Sequence, residues 1–158
     1  MKWYKIIATS LGVGYSPFAP GTMGAILGTI LFYALNLFLL KLNFSWNYVI
    51  LVDVVAIIFF LLLGVKAIKN VHKIWKHDDN RIVIDEVVGV WITTLFVPLQ
   101  WKYYLMALIV FRFFDIVKPL GIKNFDRMKN DWSVMLDDIL AGFYGWLLMQ
   151  MLLYFKFI

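Results

Sequence analysis

The sequence predicts an all-α fold, an integral membrane helical bundle with about five hydrophobic helices, or four if one is kinked, and cytoplasmic polar loops. Composition is the first reason. Of 158 residues, 63% are hydrophobic and 16% charged, against about 45–50% and about 25% in soluble domains. A soluble domain of this length could not bury that much apolar surface. The second reason is arrangement, because the charges lie between long apolar runs and hardly within them. The length suits a single membrane-embedded domain over residues 1–158.

Each element follows in order. The first 11 residues carry Lys2 and Lys5, turn apolar, and show no small-residue cleavage site, so they read as a retained cytoplasmic or interfacial segment. Crossing a bilayer takes roughly 20 apolar residues, with about 17 as the lower limit. Residues 23–40 supply 18, interrupted only by Thr29 and Asn36, and residues 48–65 another 18 with Asp53 as the one charge. Residues 87–117 exceed one crossing, and Pro98-Leu99-Gln100-Trp101-Lys102 divides them into two short helices. Residues 139–155 form the last candidate, 17 long.

Orientation follows the basic residues. With the N-terminus inside, 12 of the 15 face the cytoplasm, leaving Lys41, Lys102 and Lys156 outside. Nine of the ten acids (Asp78, Asp79, Asp85, Glu86, Asp115, Asp126, Asp131, Asp137 and Asp138) fall on the same side. Chemistry is therefore expected at the cytoplasmic membrane surface. The net charge of +5 belongs beside apolar spans, which points to anionic lipid rather than nucleic acid. No obligate protein partner is inferred. With no cysteine, disulfides, thiolate metal sites and cysteine nucleophiles are excluded.

Four segments carry candidate chemistry. Asp85-Glu86 opens one helix and Asp137-Asp138 another, both from the same face. Four carboxylates there suit one or two hard divalent cations, and magnesium favours oxygen ligands shared with substrate phosphate. Gly89 and Gly142 follow four residues after Asp85 and Asp138, leaving room for a helix one turn above each acid. The plainer account is that acids complement helix dipoles and cap free amides. Two adjacent pairs at the membrane edge favour a metal. Arg112 and Asp115 share a helix face, and Lys118-Pro119 ends that helix. They would clamp a phosphate, or merely form an internal salt bridge with a snorkelling lysine. The turn before the first span, with its two prolines and two glycines, exposes backbone amides and the Thr22 hydroxyl to an anion, or else is a plain helix entry. His72 and His77 lack the i, i+4 spacing of a zinc helix, and His77 reads as a solvated loop residue. Asp53 reads as a helix–helix contact.

Taken in order, Pro17-Phe18-Ala19-Pro20-Gly21-Thr22-Met23-Gly24, Asp85-Glu86-Val87-Val88-Gly89, Phe111-Arg112-Phe113-Phe114-Asp115-Ile116-Val117-Lys118-Pro119 and Met135-Leu136-Asp137-Asp138-Ile139-Leu140-Ala141-Gly142 resemble the phosphatidylglycerophosphatase A family over nearly the whole chain. The resemblance implies a phosphoric monoester hydrolase that takes phosphatidylglycerophosphate to phosphatidylglycerol. It also implies a Mg2+ requirement and a multi-pass place in the bacterial cytoplasmic membrane. Two stretches depart from the family pattern. Leu120-Gly121-Ile122 lacks a second proline, and Asn130-Asp131-Trp132-Ser133-Val134 replaces a glycine-rich run. Both bear on the shape of the 118–136 loop and leave the acids untouched.

The expected mechanism places magnesium on Asp85, Glu86, Asp137 and Asp138. Arg112, Lys118 and Thr22 bind the phosphate, and Asp115 holds Arg112. Water or a carboxylate is the attacking group. Vanadium-chloroperoxidase-like phosphatases need histidines in separate motifs, and CDP-alcohol phosphatidyltransferases a long aspartate signature; neither is present. The rival from another class is a small cation channel or transporter with an acidic cytoplasmic mouth, in which Asp53 alone would serve within the bilayer.

Overall fold

The computed structural model describes residues 2–76, 79–119, 121–122 and 130–158. The expectations attached to His77, Asp78, Lys123, Asp126, Arg127 and Lys129 lie outside them. The described residues form six α-helices and one 3-10 turn, and no strand. The helices are α1 (Trp3–Ala8), α2 (Pro20–Lys41), α3 (Trp46–Val71), α4 (Ile84–Thr94), α5 (Trp101–Val117) and α6 (Ser133–Tyr154), with the turn at Val13–Tyr15.

Three of these, α2, α3 and α6, are long and apolar enough to cross a membrane. Their crossing windows are only 39%, 28% and 33% buried, so large apolar faces remain uncovered by protein. Ile30, Leu51, Val55, Phe59, Leu62 and Ile109 are all more than half exposed. Such a continuous apolar girdle suits lipid as the solvent. The five hydrophobic segments correspond to α2 through α6. However, α4 has 11 residues and α5 has 17, so α4 extends only about 16 Å. It stops early where Gln150 Nε2 donates to the Leu95 carbonyl at 3.2 Å, satisfying a backbone group freed by the end of the helix.

Contact order along the chain fixes the helix directions. Gly24 packs on Val83, Gly28 on Val87, and Phe32 stacks on Trp91, so α2 and α4 run parallel. The Trp91 indole pins the pair by donating to the Gly28 carbonyl at 2.8 Å. Between α4 and α6 the pairs are Gly89 with Gly142 and Thr93 with Gly145, again parallel. α3 and α5 run the other way, since Asn36 meets Asp53, Tyr33 meets Tyr104, and Gly89 meets Phe111. The starts of α2, α4 and α6 therefore share one end of the bundle with the last turns of α3 and α5. α1 packs against α3, and Val83 N–H donates to the Ala8 carbonyl at 2.9 Å, which ties α1 to the entry of α4.

The α4–α6 crossing depends on two missing side chains. A Cβ on Gly142 would lie 2.4 Å from the Gly89 carbonyl oxygen, closer than any real contact. Backbone meets backbone there, as the glycine spacing predicts. At the opposite end of the bundle, Asn36 Nδ2 donates to Asp53 Oδ1 at 2.9 Å between two fully buried side chains. Asp53 thus makes the interhelical contact expected of it.

Candidate active site

The site grows out of the three parallel helix starts. α2 begins with Pro20 in its first turn, after Ala19 in the left-handed region at φ 40°. Proline has no N–H to lose there, and the amides of Gly21 and Thr22 precede the helix's own hydrogen-bond ladder. α4 carries Asp85 and Glu86 in its first turn. α6 begins at Ser133, one turn earlier than the acids Asp137 and Asp138 that were expected to open it. The reason is Asn130, whose Oδ1 accepts from Trp132 N–H at 3.0 Å and Ser133 N–H at 2.8 Å and moves the helix start upstream. From the opposite direction, α5 ends with Arg112, Asp115 and Lys118. Lys118 is the C-cap residue at φ 47°, a conformation usually left to glycine, and Pro119 stops the helix behind it.

These elements enclose a cavity of about 420 Å3. Thr22, Asp85, Glu86, Arg112, Asp115, Lys118, Asp137 and Asp138 all line it, so every site residue singled out in the sequence faces one space. Within it the acids divide into two sets. Asp85, Glu86 and Asp138 bring carboxylate oxygens within 4.8 Å of one another. Asp137 stands apart, accepting from Lys118 Nζ at 2.7 Å. Asp115 accepts from Arg112 Nη1. The expected four-acid cluster is thus a cluster of three beside two carboxylate–cation pairs.

Burial makes that trio demanding. Asp85 is 8% exposed and Asp138 4%. Asp85 Oδ1 and Glu86 Oε2 are buried without a hydrogen-bond partner. Two unit charges at that separation repel by roughly 3 kcal/mol at an effective dielectric of about 20, and desolvation adds to this. A hard divalent cation would relieve both costs, and an all-oxygen donor set is what such an ion takes. The residues present therefore fit a magnesium-type ion. Gly21 completes the enclosure, since a Cβ there would sit 2.2 Å from Glu86 Oε1.

Arg112 Nε is likewise buried and unpartnered. One edge of its guanidinium is held by Asp115, leaving donor capacity for an anion in the cavity. With Lys118 and the first-turn amides of α2, the cavity joins a cation-seeking floor to anion-binding donors, which is what a phosphate ester shared with a metal requires.

Some lining residues were not legible in advance. Asp79 and Asn80 close one side from the loop between α3 and α4. Arg81 grips Asp79 through Nε at 2.7 Å and Nη2 at 2.6 Å. These hydrogen bonds hold the Asp79 carboxyl below the usual carboxylate range. Ser133 also lines the cavity, and its hydroxyl donates to the Asn130 carbonyl at 2.8 Å. His72 Nδ1 lies 2.6 Å from Asp131 Oδ1, joining the end of α3 to the approach to α6. No local pattern marks these residues; the one readable signal was Asn130, a turn-forming residue three positions before Ser133.

Comparison with known proteins agrees with this geometry. A family model described as phosphatidylglycerophosphatase A matches residues 6–153. A Bacteroides thetaiotaomicron protein provisionally named a phosphatidylinositol-3-phosphatase is 42% identical, covering 90% of this chain and 89% of its own. Proteins named phosphatidylglycerophosphatase A from Haemophilus influenzae and Escherichia coli are 37% and 35% identical, covering 89% and 88% of this chain and 82% and 77% of theirs. No solved structure matches the chain.

Proposed function

Because the chain belongs to the phosphatidylglycerophosphatase A family, we propose that it removes the terminal phosphate of phosphatidylglycerophosphate, giving phosphatidylglycerol, with magnesium held by Asp85, Glu86 and Asp138. The observation that carries this reading is the convergence of those three carboxylates beside Arg112 and Lys118 in one cavity. When bound, the ion supplies charge neutralisation of the phosphate and acidification of water.

The protein's own residues do the rest. Arg112 and Lys118 donate to the non-bridging phosphate oxygens and stabilise the charge that spreads over them in the transition state. Asp115 and Asp137 hold those two cations in place through the pairs already formed. Thr22 and the first-turn amides of α2 offer further donors to the same oxygens. The acyl chains stay in lipid while the head group enters from the interface. Positive-inside asymmetry supports placing this end at the cytoplasmic face of a bacterial inner membrane.

The Bacteroides relative's name motivates a second substrate, phosphatidylinositol 3-phosphate, which also carries a phosphate monoester on a polyol. The test is phosphate release by detergent-purified protein from each lipid, with magnesium and after chelation. We expect magnesium-dependent release from phosphatidylglycerophosphate, with the inositol lipid slower. Full release in chelator, or cation flux in liposomes without any phosphatase activity, would remove the proposal. The flux result would favour the channel reading.

A further inference from the structure

Beside the head-group cavity lies a second, open groove of about 460 Å3, lined by Ile74, Trp75, Lys76, Asp79, Asn80 and Arg81. Asp79 and Asn80 line both spaces, so a single turn of chain separates them. We propose that this groove binds the phosphodiester of the lipid substrate while the main cavity holds its terminal monoester. The inference rests on the phosphatase reading and adds to it a second contact on the same head group, at the phosphodiester.

The groove is built for an anion. Lys76 and Arg81 line it, and Lys5 Nζ lies 5.7 Å from the Trp75 ring centroid. Among the described lining residues, two cations stand against one carboxylate, Asp79. The Arg81 guanidinium stacks on Trp75 at 4.1 Å. Its Nε and Nη2 are taken by Asp79, while Nη1 has no hydrogen bond to the described residues. A guanidinium held on one edge and stacked on one face loses little freedom when its remaining donors meet phosphate. Its backbone is fixed as well, because a Cβ on Gly14 would lie 2.0 Å from the Arg81 carbonyl oxygen. The Arg81 side chain is 40% exposed and so remains reachable. Tyr15, half-exposed and edge-on to Trp75, and the exposed Ile74 give the surroundings the aromatic and apolar character of a membrane interface. A glycerol bridge spans few bonds, and a one-turn partition suits two phosphates that close together.

The test measures KM and kcat on phosphatidylglycerophosphate in mixed micelles for wild type, Arg81→Gln and Lys76→Gln. Lys41→Gln, at the other end of the bundle, controls for net charge. A parallel calorimetric titration uses dihexanoyl phosphatidylglycerol, which carries the phosphodiester and no monoester. We expect Arg81→Gln to raise KM about tenfold and weaken the titrated affinity about tenfold, with kcat changing far less. Lys76→Gln should act in the same direction and more weakly. Lys76 is an exposed side chain whose removal leaves packing intact, so its result stands even if Arg81→Gln misfolds. Unchanged KM and affinity in both variants, or a fall in kcat alone, would overturn the groove assignment. If wild type releases no phosphate, the phosphatase reading fails and the titration alone decides the groove.

Discussion

Asp138 brings a carboxylate oxygen within 4.8 Å of those of Asp85 and Glu86 from another helix, and each of the three lies in a place where an unpaired charge is costly. Neutral amides of the same shape should keep the fold and lose the cation. Asp85→Asn and Asp138→Asn are therefore expected to lower phosphate release by at least about 100-fold, with thermal stability retained or raised. Asp115 acts through Arg112, so Asp115→Asn should cost about tenfold and appear more in KM than in kcat. Equal losses at all three positions, in kcat alone, would deny Asp115 that indirect role. The acids stood out in the sequence because two adjacent carboxylate pairs at the edges of apolar runs exceed what dipole complementation and capping need. Their division into a trio of close carboxylates and two cation-holding partners was not readable, since it depends on which way α5 delivers Arg112 and Lys118. Asp79 and Asn80 were missed for a similar reason: a loop residue's place on a cavity wall is set by tertiary packing alone.

Two glycines decide how the elements carry these residues. Gly142→Ala would drive a methyl into the Gly89 carbonyl, and backbone cannot yield as a side-chain tip can. Overpacking of this kind costs about 1–3 kcal/mol and would part Asp85 from Asp138. Activity should fall with stability in a thermal-unfolding and turnover comparison. Gly21→Ala meets only side-chain ends, the Glu86 carboxylate and Arg112 Nη1, so activity should drop while the melting temperature barely moves. Gly89 and Gly142 were visible as spacing from the acids, and the close approach of α4 and α6 at those two residues agrees with that reading. The short α4 was less visible. Its apolar run continues past Thr94, but the backbone turns out of the helix at Leu95 and Phe96, and Gln150 reaches across from α6 to the freed Leu95 carbonyl. The loop before α4 adds a pH dependence. Asp79 has a depressed pKa, so its stabilising effect is complete above the ordinary value of about 3.9 and is lost as pH falls through the lower folded value. The melting difference between wild type and Asp79→Asn should hold steady from about pH 5 to 8 and shrink below about pH 4.

At the scale of the whole molecule, parallel α2, α4 and α6 put three positive helix ends at one boundary, where carboxylates and an incoming anion gain from them. The all-helical plan with apolar spans followed from the apolar runs. Which helices have crossing length, and how they pack, needed coordinates. The opposite end holds Asn36 and Asp53, joined away from the chemistry. Asn36→Ala should destabilise the bundle by about 1–3 kcal/mol and leave kcat unchanged, as measured by unfolding in detergent and by turnover. The central claim is that one divalent ion sits among Asp85, Glu86 and Asp138. A crystal grown with manganese in place of magnesium tests it through the anomalous signal. The account predicts one strong peak at about 2.0–2.2 Å from oxygens of all three residues. A fully active protein whose only peak lies elsewhere, or which shows none, would contradict it.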